Sequence, residues 1–352
     1  MGRQCAITDA VMEEVLDFLK YKMSIDEVAG GPNAIKVIGT IHSPINKTIS
    51  EIKEYMSSTE YTPIFTPGGK RHIVQLGKFR KVEDKPKYWL NSLLFIATII
   101  TTTFGYYMWF GSDLLSSVMF SFSLMTILTC HELGHYFVSK KQGMVTSLPY
   151  FIPVPGHFIG TFGAVIRMKS IVPSRSSLLR VGMAGPVSGF LVALPITVIG
   201  IALSEIQIAP EGAGYMHLGN SLLFHILIRI IHPHIPQGAD VFLHPMAFAG
   251  WLGFLVTSMN LIPVGQLDGG HVMYSVLLKK RKYLYLPIFA CIIALGFLWL
   301  GWFIWGVLVF ILARRDPIIQ DSITPLSRQE KFYATLPLVV LILTFMPKPI
   351  SI

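Results

Sequence analysis

Two charge-free apolar runs, Trp89 to about Trp109 and Val181 to about Leu203, limit the fold more than anything else in the sequence. A third, Leu114 to Cys130, continues to about Val138 with only His131, Glu132 and His135 to interrupt its apolar character. A helix of about 20 apolar residues crosses the hydrocarbon core of a bilayer. Composition agrees: of 352 residues 52% are hydrophobic and 14% charged, against about 25% charged in soluble proteins. The chain therefore reads as a polytopic membrane helix bundle, mainly α, with about six to seven spans.

The net charge of +9 would suit nucleic acid, but the basic residues stand in short clusters beside the spans: Lys85/Lys87, Lys140/Lys141, Arg175/Arg180, Lys279 to Lys282 and Arg314/Arg315. That pattern belongs to cytoplasmic loops, and a nucleic-acid partner is excluded. Cys5, Cys130 and Cys291 are scattered and make no disulfide framework. No apolar h-region opens the sequence, so no signal peptide is expected.

Residues 1–78 read as a small soluble α/β domain of helix–strand–helix–hairpin order. Val11 to Tyr21 has helical periodicity, Ala34 to Ile41 reads as a strand, and a second helix runs from Ser43-Pro44 to about Tyr55. Tyr61 to Phe65 and His72 to Leu76 form a hairpin turned by Pro67-Gly68-Gly69. It carries no catalytic constellation, which leaves both a regulatory role and a plain stabilising one open. A charged linker, 79–88, leads to the membrane domain, 89–352, whose core lies at about 114–280. Thr146 to Met168 is apolar but broken by Pro and Gly. It suits a membrane-associated β-hairpin, or alternatively a hydrophobic interfacial loop. Ser221 to Ile231 is too short for a span and reads as an interfacial helix. Tyr283 to Ala313 is uncharged between basic flanks, which predicts a helical hairpin with Gly296, Gly301 and Gly306 near its turn. Tyr333 to Met346 is a candidate last span.

Within this frame lies His131-Glu132-Leu133-Gly134-His135. Residues four apart share a helix face, so both imidazoles can reach one metal ion, with Glu132 close enough to handle the proton of a water. The competing reading is a helix that simply ends in polar water, as Lys140 and Lys141 allow. Ionisable groups inside a span are costly and mark function by default. A catalytic zinc keeps three protein ligands and one open position. The best candidate for the third is Asp268, in Asn260-Leu261-Ile262-Pro263-Val264-Gly265-Gln266-Leu267-Asp268-Gly269-Gly270-His271. There the helix must break at Pro263 and Gly265 and resume after Asp268. The small-residue run at Gly182, Ala184, Gly185, Pro186 and Gly189 lets helices approach closely and is expected to pack against the motif helix.

HELGH at 131–135, MAGP at 183–186 and NLIPVGQLDGGH at 260–271 together resemble the site-2 proteases, intramembrane zinc metallopeptidases. GTFGAVIRMKS at 160–170 and the VGQLDGGH form are similar to the branch that includes the chloroplast proteases of plants named for ethylene-dependent gravitropism. The resemblance covers about half the chain. It implies zinc as cofactor, His131, His135 and Asp268 as its ligands, Glu132 as general base, and Asn260 as a residue that holds the substrate or the developing oxyanion. His271 is nearby without being among the implied ligands. His157, His217, His225, His232, His234 and His244 are expected to be structural.

The partners so implied are membrane proteins with a transmembrane helix, in a lipid bilayer. With no transit-peptide-like leader visible, a prokaryotic cell membrane is expected, with the N-terminal domain and the site on the cytoplasmic side. The rival from another class is a metal transporter or channel, which needs a polar path through the whole membrane; here the polar residues gather towards one side.

Overall fold

The computed structural model describes residues 10–31, 34–78, 86–208, 216–312 and 317–351. The expected linker, 79–88, falls largely outside them. Two compact units are present: residues 1–83 with 170–178 and 317–327, and 84–169 with 179–316 and 328–352.

The first unit is built from α1 (Ala10–Lys22), β1 (Met23–Gly31), β2 (Ala34–Ile41), α2 (Ile45–Met56), β3 (Thr62–Gly68) and β4 (Arg71–Gly77). The sheet is antiparallel in the order β1-β2-β4-β3. Alternation sends Ile35, Val37 and Ile41 inwards. There they meet Met12, Val15 and Leu19 of α1 and Ile49, Ile52 and Met56 of α2. Each such side chain contributes about 1.5–3 kcal/mol on full burial. The structure adds β1, which the expected helix–strand–helix–hairpin order lacks. Its polar Asp26 and Glu27 and a register shift between Ile25 and Glu27 hide the alternation.

Two later segments join this unit. Phe65 bridges Asp321 and Val172 bridges Ile319, both in parallel. Asp321 is buried and accepts the amides of Ile323 and Thr324, both at 3.0 Å. Lys53 of α2 fastens both segments, with its Nζ 3.2 Å from the Pro173 carbonyl and 3.8 Å from Asp321 Oδ2.

The second unit holds α3 (Tyr88–Phe110), α4 (Leu114–Lys141), β5 (Tyr150–Pro153), β6 (Thr161–Val165), α5 (Arg175–Ala202, of which all but the first turn lies here), β7 (Glu205–Ile208), β8 (His217–Leu218), α6 (Leu222–Ile231), β9 (Ala239–Phe242), α7 (Pro245–Leu261), α8 (Asp268–Leu277), α9 (Lys282–Gly296), α10 (Gly301–Leu312), α11 (Arg328–Tyr333), α12 (Leu336–Thr344) and β10 (Ile350–Ser351). Helices α3, α4 and α5 are long and apolar enough to cross a membrane. Helix α7 is buried along almost its whole length, Trp251 and Phe254 included. Its core is shared with Phe120, Leu124 and Leu128 of α4.

The expected helical hairpin is present as α9 and α10, which pack together. The candidate last span is shorter than expected. Helix α12 has 9 residues, about 14 Å against a hydrocarbon core of about 30 Å, and Pro337 stands at its start.

β5 and β6 pair antiparallel, Tyr150 with Val165 and Phe151 with Ala164. This hairpin lies along α3. Asn91 Nδ2 donates to the Pro149 carbonyl at 2.7 Å, Thr101 Oγ1 to the Gly160 carbonyl at 2.7 Å, and Trp109 Nε1 to the Gly156 carbonyl at 2.9 Å. Asn91 and Trp109 are about 27 Å apart along the helix, so the segment follows α3 over most of its length. Irregular backbone at such depth persists only where protein satisfies it, and these three side chains do so.

Candidate metal centre

Asp113 starts α4, its carboxylate accepting the Ser116 amide at 3.0 Å. The apolar run then continues as one helix through the HELGH motif, and His131, Glu132 and His135 are all buried. Helix α7 ends at Leu261. The chain turns through Pro263 and through Gly265, whose φ is +59°, and α8 begins at Asp268. A carboxylate in a helix's first turn is favoured by the positive end of the dipole.

The break therefore delivers Asp268 to α4. Its Oδ2 lies 3.3 Å from His131 Nε2 and its Oδ1 lies 3.2 Å from His135 Nε2. The two Nε2 atoms are 3.3 Å apart. Among the described residues these three make the one group of His, Cys, Asp or Glu side chains that could hold a metal ion.

The fit to zinc can be tested on these distances. Donors at tetrahedral corners about 2.0–2.1 Å from an ion stand about 3.3–3.4 Å from one another. The 3.3 Å between the two Nε2 atoms matches that edge, and each carboxylate oxygen stands at about the same distance from one of them, Oδ2 from His131 and Oδ1 from His135. His135 adds a second argument: its Nδ1 lies 2.8 Å from the Val181 carbonyl. A carbonyl only accepts, so Nδ1 carries the proton and Nε2 presents a bare lone pair, the arrangement usual for a metal-binding imidazole.

Helix α5 forms the wall behind both rings. A Cβ at Gly185 would overlap the His135 imidazole, and one at Gly189 would stand 3.1 Å from His131 Nδ1. Ser188 Oγ lies 2.8 Å from the Cys130 carbonyl of α4. The expected packing of the small-residue run against the motif helix is thus observed. The Val181 anchor has no signal in the sequence, because it is a main-chain carbonyl. Gly185 and Gly189, by contrast, belong to the small-residue run that the sequence marks.

Glu132 stands outside the trio, with the backbone N–H of Ile166, just past β6, directed to its carboxylate. Asn260 occupies the last turn of α7, half-buried, and its side chain makes no hydrogen bond among the described residues. Two of the histidines expected to be structural have structural partners. His244 Nδ1 accepts the Met246 amide at the start of α7, and His232 Nε2 lies 2.8 Å from the Ile201 carbonyl.

The sequence model of peptidase family M50 matches residues 119–300, which contain all of these residues. The probable zinc metalloprotease EGY2, chloroplastic, of Arabidopsis thaliana is 30% identical over 230 residues, 62% of this chain and 39% of the relative. The probable zinc metalloprotease EGY1, chloroplastic, of the same plant is 30% identical over 239 residues, 64% of this chain and 42% of the relative. The probable zinc metalloprotease EGY3, chloroplastic, of Oryza sativa subsp. indica is 27% identical over 257 residues, 67% of this chain and 43% of the relative. This chain spans about two fifths of the length of these curated relatives. No solved structure matches it. With the match to the M50 model running across the motif helix, the small-residue helix and the Asp268 turn, the chain belongs to peptidase family M50, the site-2 protease family of zinc metalloproteases.

Proposed function

We propose that this chain is an intramembrane zinc metalloprotease that cuts transmembrane segments of other membrane proteins. One observation carries the reading: two imidazoles from one helix and a carboxylate from another bring one ligand atom each within 4.8 Å of one another, and each carboxylate oxygen stands 3.2 to 3.3 Å from one imidazole Nε2. His131, His135 and Asp268 would hold the ion and leave one position open. When bound, zinc supplies Lewis-acid polarisation of a carbonyl and acidifies water.

The remaining chemistry falls to the chain's own side chains. Glu132 accepts the proton of the attacking water and returns it to the leaving amine, as a general base that becomes a general acid. The half-buried Asn260 amide, which has no hydrogen-bond partner among the described residues, holds the substrate carbonyl as it gains charge. A helical substrate hides its peptide bonds in its own hydrogen bonds, so it must unwind before the reacting carbonyl can enter.

The basic Lys140 and Lys141 in the last turn of α4 favour a cytoplasmic position for that end of the helix. We infer that the chain is a multi-pass integral protein of a cell membrane, with the N-terminal domain and the site on the cytoplasmic side.

The test is Glu132→Gln in the full chain reconstituted with zinc. Zinc per chain should equal wild type, while cleavage of a single-span substrate falls by at least about 100-fold. Cleavage at the wild-type rate would remove Glu132 from the reaction. Zinc flux into sealed vesicles without cleavage would point instead to a transporter.

A further inference from the structure

His271 is the one polar side chain on α8 beside the metal centre that neither the fold nor the proposed reaction uses. It lies three residues after Asp268, hence on the same helix face. It is only 9% exposed. Its Nδ1 is buried without a hydrogen-bond partner among the described residues. The contrast with His135 is direct, since there Nδ1 is taken by the Val181 carbonyl. Leaving a buried polar atom unpaired destabilises the fold, and buried groups of this kind are rare enough to call for a reason.

The residues around the α7–α8 turn offer one. Asn260 before the turn and His271 after it both lack side-chain partners among the described residues. A peptide unwound within a membrane carries main-chain N–H and C=O groups that no lipid can satisfy. Polar side chains kept free of internal partners are what such a peptide requires.

We propose that the His271 imidazole is a substrate-binding group, which hydrogen-bonds the main chain of the unwound peptide beside the scissile bond. The proposal rests on the zinc-protease reading, and the ligand class is an extended, membrane-embedded peptide. His271 holds no metal; it completes its hydrogen bonding only when the peptide is present.

This makes an unusual combination of outcomes. A histidine that merely supports the fold should destabilise the chain when replaced by leucine. A histidine awaiting a ligand should not, because leucine removes an unsatisfied polar atom. The experiment compares wild type, His271→Leu and His271→Asn as full chains with zinc in phosphatidylcholine–phosphatidylglycerol vesicles. The probe is a fluorescent single-span leucine–alanine peptide interrupted by Asn-Pro. Its binding is measured in the Glu132→Gln background and its cleavage with Glu132 present.

For His271→Leu we expect unchanged zinc, a thermal midpoint equal to or above wild type, and peptide binding about tenfold weaker, with the cleavage loss mainly in KM. His271→Asn, which keeps a hydrogen-bonding group near the Nδ1 position, should recover most of that loss. Wild-type binding by His271→Leu overturns the proposal. So does loss of zinc or of thermal stability in step with binding, or an asparagine variant as weak as the leucine one. A wild type that binds the peptide through His271 but never cuts it would sink the protease reading alone. A wild type that neither binds nor cuts would sink both.

Discussion

Two seams join distant parts of the membrane unit, and glycine stands at both, but beneath different partners. Where α5 meets α4, Gly185 and Gly189 face the imidazoles of His135 and His131. Where α3 meets the β5–β6 hairpin, Gly160, at φ +75°, lies against the backbone of Thr101 and Thr102. The first seam positions side chains that could hold a metal. The second positions a stretch of main chain, tied to α3 by Asn91, Thr101 and Trp109. A close approach therefore does different work according to what it leaves room for, and the two seams should fail differently.

The largest effect is expected at the first. Gly185→Ala places a methyl group where the His135 ring lies, and the ring cannot retreat without giving up the Val181 carbonyl. Zinc affinity should fall by roughly 100-fold, with cleavage falling in parallel, as measured by metal analysis of chains titrated with zinc. Full zinc occupancy in Gly185→Ala would erase the distinction between the seams.

At the second seam, Gly160→Ala meets both a positive φ and the α3 backbone. Overpacking of this kind costs about 1–3 kcal/mol. Zinc content should stay at the wild-type level while cleavage drops by up to about 100-fold through displacement of the hairpin, whose flank at Ile166 directs its amide to Glu132. Parallel loss of zinc would show that the seams are not separate. The smallest effect belongs to Trp109→Phe, which removes the bond to the Gly156 carbonyl. It should lower thermal stability by about 1 kcal/mol and leave zinc untouched.

The sequence made one of these seams easier to read than the other. Gly182, Ala184, Gly185 and Gly189 recur at helix spacing at the start of a span, so their use as a packing surface follows from periodicity. The α3 seam depends on Asn91, Thr101 and Trp109, which look like ordinary polar and interfacial residues of a span until their acceptors are known. The same contrast holds elsewhere. Asp268 was legible because a carboxylate at a helix break inside an apolar region has few other uses. The Val181 carbonyl that orients His135 was not, since main-chain atoms leave no trace in composition. In the first unit, β1 is obscured by Asp26, Glu27 and its register shift. Segment 317–327 meets β3 at the single bridge Phe65 to Asp321, and segment 170–178 meets 317–327 at the single bridge Val172 to Ile319, both too short to leave any alternating pattern.

The measurement that bears most directly on the account is zinc K-edge X-ray absorption of the purified, zinc-loaded chain, with Asp268→Ala as control. Wild type should give a shell of two imidazole nitrogens and a carboxylate oxygen at about 2.0–2.2 Å, and the control should lose the carboxylate or the metal itself. A wild-type shell without two imidazoles, or one unaltered by Asp268→Ala, would contradict a centre assembled from α4 and α8.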